Sequence, residues 1–447
     1  MKKFFLLSLS ILLFACEPDN EEFVVPIQHQ FEVTYNESYD KKPAGNAQVK
    51  LTSSSDGKTY SAQTNENGIA EVEVVPGTYK VSVNRNFTPQ EYLDFAGQNV
   101  DDNIAFNASL DNLNITNSGN SLTEVELVTG RIGNLLIKQV YFAGSDVRLG
   151  ASFRDQFIEI HNNSNELVYL DGLYFAQVYG SSSIPSDIKP HQLPNGQLDW
   201  SQSLGQQDPD NANSKYIYSD EVLQIPGTGE DYPLASGKSV IIAATAINHK
   251  APLIVNDRNG EPRTYEVPEP DRTINLENAP FEAYFRPFQE SQGSTWLDSD
   301  IDNPSSVNLE IAFKSFGGKD LILDTFGRDA YVIFRDNPEE INSWNAIPSP
   351  AINSDEFSES TSTYLQIPTS VIIDGVEVQR NDPNKAKPKR LPDAIDAGEI
   401  STISGKFSSE SVIRIKTRET DGKAFYQDTN NSSVDFEVLD HPEVVID

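Results

Sequence analysis

The sequence predicts an all-β protein built from β-sandwich units in tandem. Three observations carry that prediction. Apolar and polar residues alternate with a period of two through much of the chain, the mark of half-buried strands. Asn, Gly and Pro punctuate these runs at short intervals, as tight turns require. Aromatic residues make up 10% of the 447 residues, which sets this acidic chain apart from disordered polyanions.

The alternation is most regular from Phe31 to Val128. Ala47, Val49 and Leu51 share one face of a predicted strand, and Gln48, Lys50 and Thr52 share the other. In Ala70–Val74 the acids Glu71 and Glu73 point away from the apolar face. Tyr79, Val81 and Val83 repeat the device, as do Ile104, Phe106, Ala108 and Leu110. Asp56-Gly57, Asn65-Glu66-Asn67-Gly68 and Pro76-Gly77 supply turns, since Asn and Gly tolerate positive φ and Pro presets it. Short strands spaced in this way indicate a sandwich. Ala47-x-Val49-x-Leu51, Thr64 to Ala70 and Val75-Pro76-Gly77-Thr78-Tyr79-x-Val81-x-Val83 together resemble the carboxypeptidase regulatory-like domain. That resemblance implies a transthyretin-like sandwich with an accessory or spacer role and no catalysis. Asn65 stands where the family usually has Asp.

A second β region begins near Arg131. Leu135 to Phe142 is apolar enough for a buried strand, and Phe157 to Ser164 runs from strand into turn. Glu159-Ile160-x-Asn162-x-Ser164, followed by Val168-x-Leu170-x-Gly172, resembles the opening of the lamin-tail domain. Leu234–Ala243, Gly318–Asp324 with Gly327, and Val412–Ile415 with Asp428–Phe436 resemble its later strands and closing motif. The resemblance implies an immunoglobulin-like sandwich used for binding, here with long loop insertions. Two stretches read as long loops: Gly180 to Asp220, rich in Ser, Gln, Asn, Asp and Pro, and Arg380 to Lys389, a basic cluster. Loops on a rigid sandwich are where recognition usually resides.

The N-terminus predicts export. Lys2 and Lys3 precede an apolar run from Phe4 to Phe14. That run is too short for a lone membrane helix, which takes roughly 20 residues, and it reads as a cleaved signal. Leu13-Phe14-Ala15-Cys16 resembles a bacterial lipobox, which implies that Cys16 carries the lipid. Several acyl chains would hold the protein stably at the membrane where one would not. Cys16 is the only cysteine, so internal disulfides and thiolate metal cages are excluded. Glu17 to Glu22 resembles the acidic export signal of Bacteroidota lipoproteins, which implies the outer membrane and its cell-surface face. The predicted organisation is a signal peptide over 1–15 and an acidic tether over 16–29. A carboxypeptidase regulatory-like sandwich follows over 30–130, then a lamin-tail-like sandwich with insertions over 131–447. This order of parts resembles a Bacteroidota lipoprotein family of unknown function. The resemblance implies an envelope protein acting beside outer-membrane transport systems.

Removing Lys2 and Lys3 leaves 32 basic against 67 acidic side chains, a net of −35. Such a surface repels phosphates and argues against nucleic acid as a partner. No Gly-x-Ser-x-Gly elbow or His-Glu-x-x-His helix occurs, and the five histidines are scattered. Gly237-Lys238-Ser239 lacks the upstream Gly of a phosphate loop, because Tyr232 stands there. With so many acids, some carboxylate pair will always suit glycoside hydrolysis, so the sequence does not single one out. The metal candidate is Asp298, Asp300 and Asp302, whose alternate spacing offers hard oxygens to Ca²⁺. No other cofactor is implied. Asp428 to Ser433 reads as a structural turn, because its side chains bond local backbone. Trp200, Trp296 and Trp344 lie in loop-like regions, where an exposed indole would stack on a flat ligand and a buried one would pack.

The expected function is therefore non-catalytic. The lipid holds the chain to the membrane, and the second domain binds a glycan or peptide ligand or docks to a TonB-dependent outer-membrane transporter. The rivals are a carboxylate-dependent enzyme acting on surface glycans and an adhesin or structural envelope component.

Overall fold

The computed structural model describes residues 25–36, 39–97, 104–117, 122–131, 134–180, 191–257, 259–315, 318–352, 354–355, 357–420 and 422–445. The predicted signal peptide, Cys16 and most of the acidic tether lie outside them. The fold is all-β, with a few short helices.

The first unit has seven strands: β1 (Ile27–Tyr35), β2 (Gln48–Ser53), β3 (Thr59–Gln63), β4 (Ile69–Val74), β5 (Gly77–Phe87), β6 (Ile104–Ile115) and β7 (Leu122–Arg131). They pair in the order β3-β2-β5-β6-β7-β1-β4. β7 passes between two layers. Its first half, Leu122–Leu127, pairs parallel with β1, and its second half, Val128–Arg131, pairs antiparallel with β6. The alternation seen in the sequence is the alternation of burial: Val49 and Leu51, Val72 and Val74, and Tyr79, Val81 and Val83 share one core. Helix α1 (Pro89–Ala96) closes one end and presents Phe95 to Tyr35, Phe87 and Phe106. The Asn65–Gly68 turn works without the Asp of the family pattern. Asn65 Oδ1 accepts from the N–H groups of Asn67 and Ile69, at 2.9 and 3.1 Å. Gly68 is obligatory there, since its φ is +76° and a Cβ would lie 2.3 Å from the Val33 carbonyl oxygen.

The second unit is a sandwich of two seven-stranded sheets. One orders Val307–Asn308, Phe281–Glu282, Ser239–Ala243, Phe157–Asn162, Leu135–Tyr141, Ser411–Arg414 and Phe436–Leu439. The other orders Ala346–Pro348, Thr363–Pro368, Tyr216–Gln224, Tyr174–Val178, Ala330–Phe334 and Ile372–Glu377, with Glu310–Lys314 also pairing Tyr216–Gln224. Ile137, Ile160 and Val412 of the first sheet meet Phe175, Ile333 and Val376 of the second. The outer faces are covered too. Tyr174, Val332 and Phe334 pack under Ile341, Trp344 and Leu391, while Phe157, Ile241 and Ala243 pack under Ile274, Leu276 and Ala279.

Gly318–Asp324, which the lamin-tail resemblance makes a strand, is not one among its described residues. Leu321 and Leu323 are buried in the core, but the Gln156 side chain takes the place of a neighbouring strand. Its amide donates to the Leu323 carbonyl at 2.7 Å, and its oxygen accepts from the Leu323 N–H at 3.1 Å. The next strand along the chain is Ala330–Phe334.

Arg414 is buried between the sheets and reaches Asp374 at 2.8 Å, Asp428 at 3.2 Å and Asp435 at 3.3 Å. The Asp428–Ser433 segment is the structural turn the sequence indicates. Thr429 donates its N–H and hydroxyl to Asp435, both at 2.8 Å, and Asn431 donates its N–H at 3.2 Å.

Candidate functional site

The two long loops come together. The Leu198 N–H donates to the Lys389 carbonyl at 2.8 Å, and the Lys389 N–H donates to the Gly196 carbonyl at 2.7 Å. The first loop is anchored by Trp200, which stacks on Tyr218 with ring centroids 3.7 Å apart. Asn213 ties it further, accepting from the Trp200 N–H at 2.8 Å and donating to the Leu198 carbonyl. The second loop is held to the first unit through Asp393, which accepts from the Ser109 N–H and hydroxyl at 3.0 and 2.8 Å and pairs with buried Lys389 at 2.6 Å. Lys80 pairs with Glu399 across the same junction, and Lys50 donates to the Ser433 carbonyl at 3.2 Å.

Two clefts open where these loops meet the first unit. The larger, about 600 Å³, is lined by Asn36 and Val128 of the first unit and by Asn195, Asp199, Asp210 and Asn213. The second, about 380 Å³, lies between Ser54, Lys80 and Asn112 on one side and Gln192, Asn384 and Lys387 on the other. Both linings carry amides and at least one hydroxyl beside Leu193 and prolines, and those polar groups suit a ligand held by hydrogen bonds. Two carboxylates beside the larger cleft are already engaged. Asp199 accepts from Ser201 and Gln202, and Asp393 accepts from Ser109 and Lys389.

Beside the second cleft, cations crowd one aromatic ring. Arg328, Arg380 and Lys406 lie 4.9, 5.0 and 4.2 Å from the Phe326 centroid. The Lys387 ammonium pKa is lowered by burial, then by Arg380 and Arg328.

Asp298, Asp300 and Asp302 are not brought together as a ligand set. Asp298 meets Arg263 at 3.2 Å and accepts from the Tyr265 hydroxyl at 2.7 Å. Asp300 accepts from the Phe285 N–H at 3.1 Å, and Asp302 from the Asn308 amide at 2.8 Å. Among the described residues no three His, Cys, Asp or Glu side chains are placed to hold a metal. The histidines occupy separate sites: His29 bonds Thr123, His161 bonds Ser239, His191 bonds Gln202, His249 bonds the Thr245 carbonyl and His441 the Pro442 carbonyl. Ser239 opens a strand, where a phosphate loop would need a helix. Trp200 and Trp344 pack within the second unit, and Trp296 lies under the Arg286 guanidinium at 4.7 Å. No helix among the described residues is long and apolar enough to cross a membrane.

Sequence reasoning missed the buried acids. Burial pushes Asp300, Glu377 and Asp428 up to about 7. Burial also holds His161 and His249 down at about 4. Asp300 and Asp428 stand in segments the sequence singles out, but no local pattern marks their burial, which comes from packing between distant segments.

Residues 235–443 match the profile of a family described as "Protein of unknown function (DUF4876)". A crystal structure of a DUF4876 family protein from Bacteroides thetaiotaomicron is 24% identical, with a TM-score of 0.50, over 92% of this chain and 95% of that one. A putative adhesin from Bacteroides ovatus is 14% identical, with a TM-score of 0.19, over 38% of this chain and 60% of that one. No curated protein matches the chain. The likeness to the Bacteroides thetaiotaomicron protein shows a shared fold. No catalytic family is indicated.

Proposed function

We propose that this chain is a non-catalytic surface lipoprotein that binds a polar ligand in the clefts between its two units. The observation that carries this reading is the meeting of two loops. Segments nearly 200 residues apart in sequence are joined through Leu198 and Lys389 and held against the first unit by Asp393. A rigid frame with polar side chains converging on an open cleft is the common form of a binding site. The first unit, read as a carboxypeptidase regulatory-like spacer, carries the second, lamin-tail-like unit away from a lipid on Cys16 in the outer membrane. The same surface would let it serve beside a TonB-dependent transporter.

Glycan and peptide arrays probed with the full chain test the binding reading. Binding that is lost in Asn195→Trp or Asn384→Trp, which fill the clefts, is the expected result. Blank arrays, or binding indifferent to both substitutions, would overturn it. Anchoring is tested separately: labelled palmitate should enter the native chain and not Cys16→Ser.

A further inference from the structure

The charge of this protein is strongly negative, at −33, yet one place on it gathers cations. The cations come from three segments. Arg328 follows Phe326, Arg380 and Lys387 belong to the second long loop, and Lys406 lies beyond it. Arg328 is neutralised by Asp324, and Lys385 by Asp382 at 2.9 Å. Arg380, Lys387 and Lys406 form no ion pair with a described carboxylate.

The gathering is built, not incidental to floppy side chains. Buried Gln379 accepts from the N–H groups of Arg380 at 3.0 Å and Lys387 at 2.9 Å, and donates to the Lys387 carbonyl at 2.9 Å. Asn381 donates to the Ile403 carbonyl at 3.1 Å, which fixes the segment bearing Lys406. Gly327, with φ +68°, sits so close to the Gln379 carbonyl that a Cβ would come within 2.6 Å of it. Three backbone segments are thus clipped into one frame, and the frame holds like charges near one another. Like charges held together repel unless an anion joins them.

We infer that this frame is the anion-reading part of the ligand site, and that the ligand is a glycan bearing carboxylate or sulfate groups. The inference rests on the cleft-binding function proposed above and names its ligand class. Lys387 belongs both to the cation group and to the lining of the cleft of about 380 Å³. In the same lining Ser54, Asn112, Gln192 and Asn384 offer donors and acceptors suited to sugar hydroxyls, and the one carboxylate, Glu399, is paired with Lys80. An acidic peptide would engage the cations through its carboxylates, whereas a glycan would engage the cations and also present a row of ring hydroxyls to these amides. Charge-assisted bonds to Arg and Lys would read the acidic groups, and the amides would read the ring hydroxyls.

The test is fluorescence anisotropy of the full chain with labelled polygalacturonate and dextran sulfate, against neutral dextran and polyglutamate. Polygalacturonate and dextran sulfate separate a carboxylate from a sulfate preference. At least one should bind, weaken with added salt, and lose tenfold or more in affinity in Arg380→Gln/Lys387→Gln/Lys406→Gln. Exposed Lys406→Gln alone should lose severalfold without disturbing the fold, which guards against a misfolded triple variant. Failure of both polyanions to bind, or equal binding by the variants, would overturn the inference. Equal binding of polyglutamate would replace the glycan with an acidic protein partner. Array binding of a neutral glycan that survives the triple variant but not Asn384→Trp would overturn this inference alone and keep the cleft function.

Discussion

In strand β4 of the first unit, Ala70, Val72 and Val74 are buried while Glu71 and Glu73 are exposed. In Ala330–Phe334 of the second unit, all five residues are buried. Tyr331 and Ile333 enter the core between the sheets, and Ala330, Val332 and Phe334 enter a second core on the outer face. The first unit has one core and lets water complete its strands. The second has an inter-sheet core, two outer ones covered by segments inserted between strands, and a smaller cluster around Trp200. Covering the outer faces also buries polar groups, so the second unit satisfies them internally through Arg414, Gln156, Gln379 and their partners.

The sharpest way to break this comparison is to remove a buried charge. Arg414→Ala leaves Asp374, Asp428 and Asp435 without their cation. Loss of one partner from a buried ion network costs roughly 3–5 kcal/mol. Chemical denaturation should show that loss, and hydrogen exchange should place it in the second unit, leaving the amides of β1–β7 protected as before. A variant of native stability would mean that the three acids find other partners or lose their charge.

A smaller test compares strand faces directly. Val332→Thr and Ile333→Thr should each destabilise by about 1–3 kcal/mol, because each puts a hydroxyl into an apolar core. In β4 the phases should separate: Val72→Thr should cost about as much, while exposed Glu71→Thr stays within about 0.5 kcal/mol. Denaturant midpoints at constant slope would read all four. If Val332→Thr proved neutral, the outer core would be less tightly packed than its burial indicates.

The same difference explains what could be read in advance. The first unit's strands were legible because a one-sided sheet writes its burial into the sequence as alternation, as at Ala47–Thr52 and Ala70–Val74. A strand buried on both faces is a short apolar run that periodicity does not resolve. Leu321-Ile322-Leu323 fits that description equally well, yet Gln156 bonds its backbone and no strand forms. The two long loops could be identified by composition, although the first ends short of Asp220, because strand Tyr216–Gln224 begins inside the predicted stretch. Their meeting through Leu198 and Lys389 could not, since nothing local encodes a contact between segments so far apart. The spacing of Asp298, Asp300 and Asp302 suggested convergence, but each carboxylate is taken by a different neighbour.

Titration offers a third comparison, because the strongly raised carboxylates belong to the second unit. Asp300, Glu377 and Asp428 stand at about 7 when folded, through burial, and near ordinary carboxylate values when unfolded. Between pH 6.5 and 8 the folded state therefore holds protons that the unfolded state has lost. Stability falls as pH rises through that window, by about 1–2 kcal/mol in total. Below pH 6.5, His161 and His249 act the other way, since both are held down at about 4 and the unfolded chain takes up their protons first. Calorimetry should therefore find a lower melting temperature at pH 8 than at pH 6.5. A melting temperature that rises across this interval would contradict the raised carboxylates.

The smallest expected effect lies at the edge of the first unit, where helix α1 caps the aromatic cluster. Thr88 accepts from the Glu91 N–H at 3.3 Å, and Glu91 accepts from the Thr88 N–H at 2.8 Å, a reciprocal cap on a helix of only two turns. So short a helix has little stability of its own. It persists because the cap satisfies two free N–H groups and because Tyr92 and Phe95 pack on Tyr35, Phe87 and Phe106. Thr88→Ala should cost about 1 kcal/mol, with faster amide exchange confined to α1 and its flanks. A loss that spread through β1–β7 would mean that α1 is integral to the first core, and the contrast between a self-sufficient first unit and a multiply covered second one would narrow.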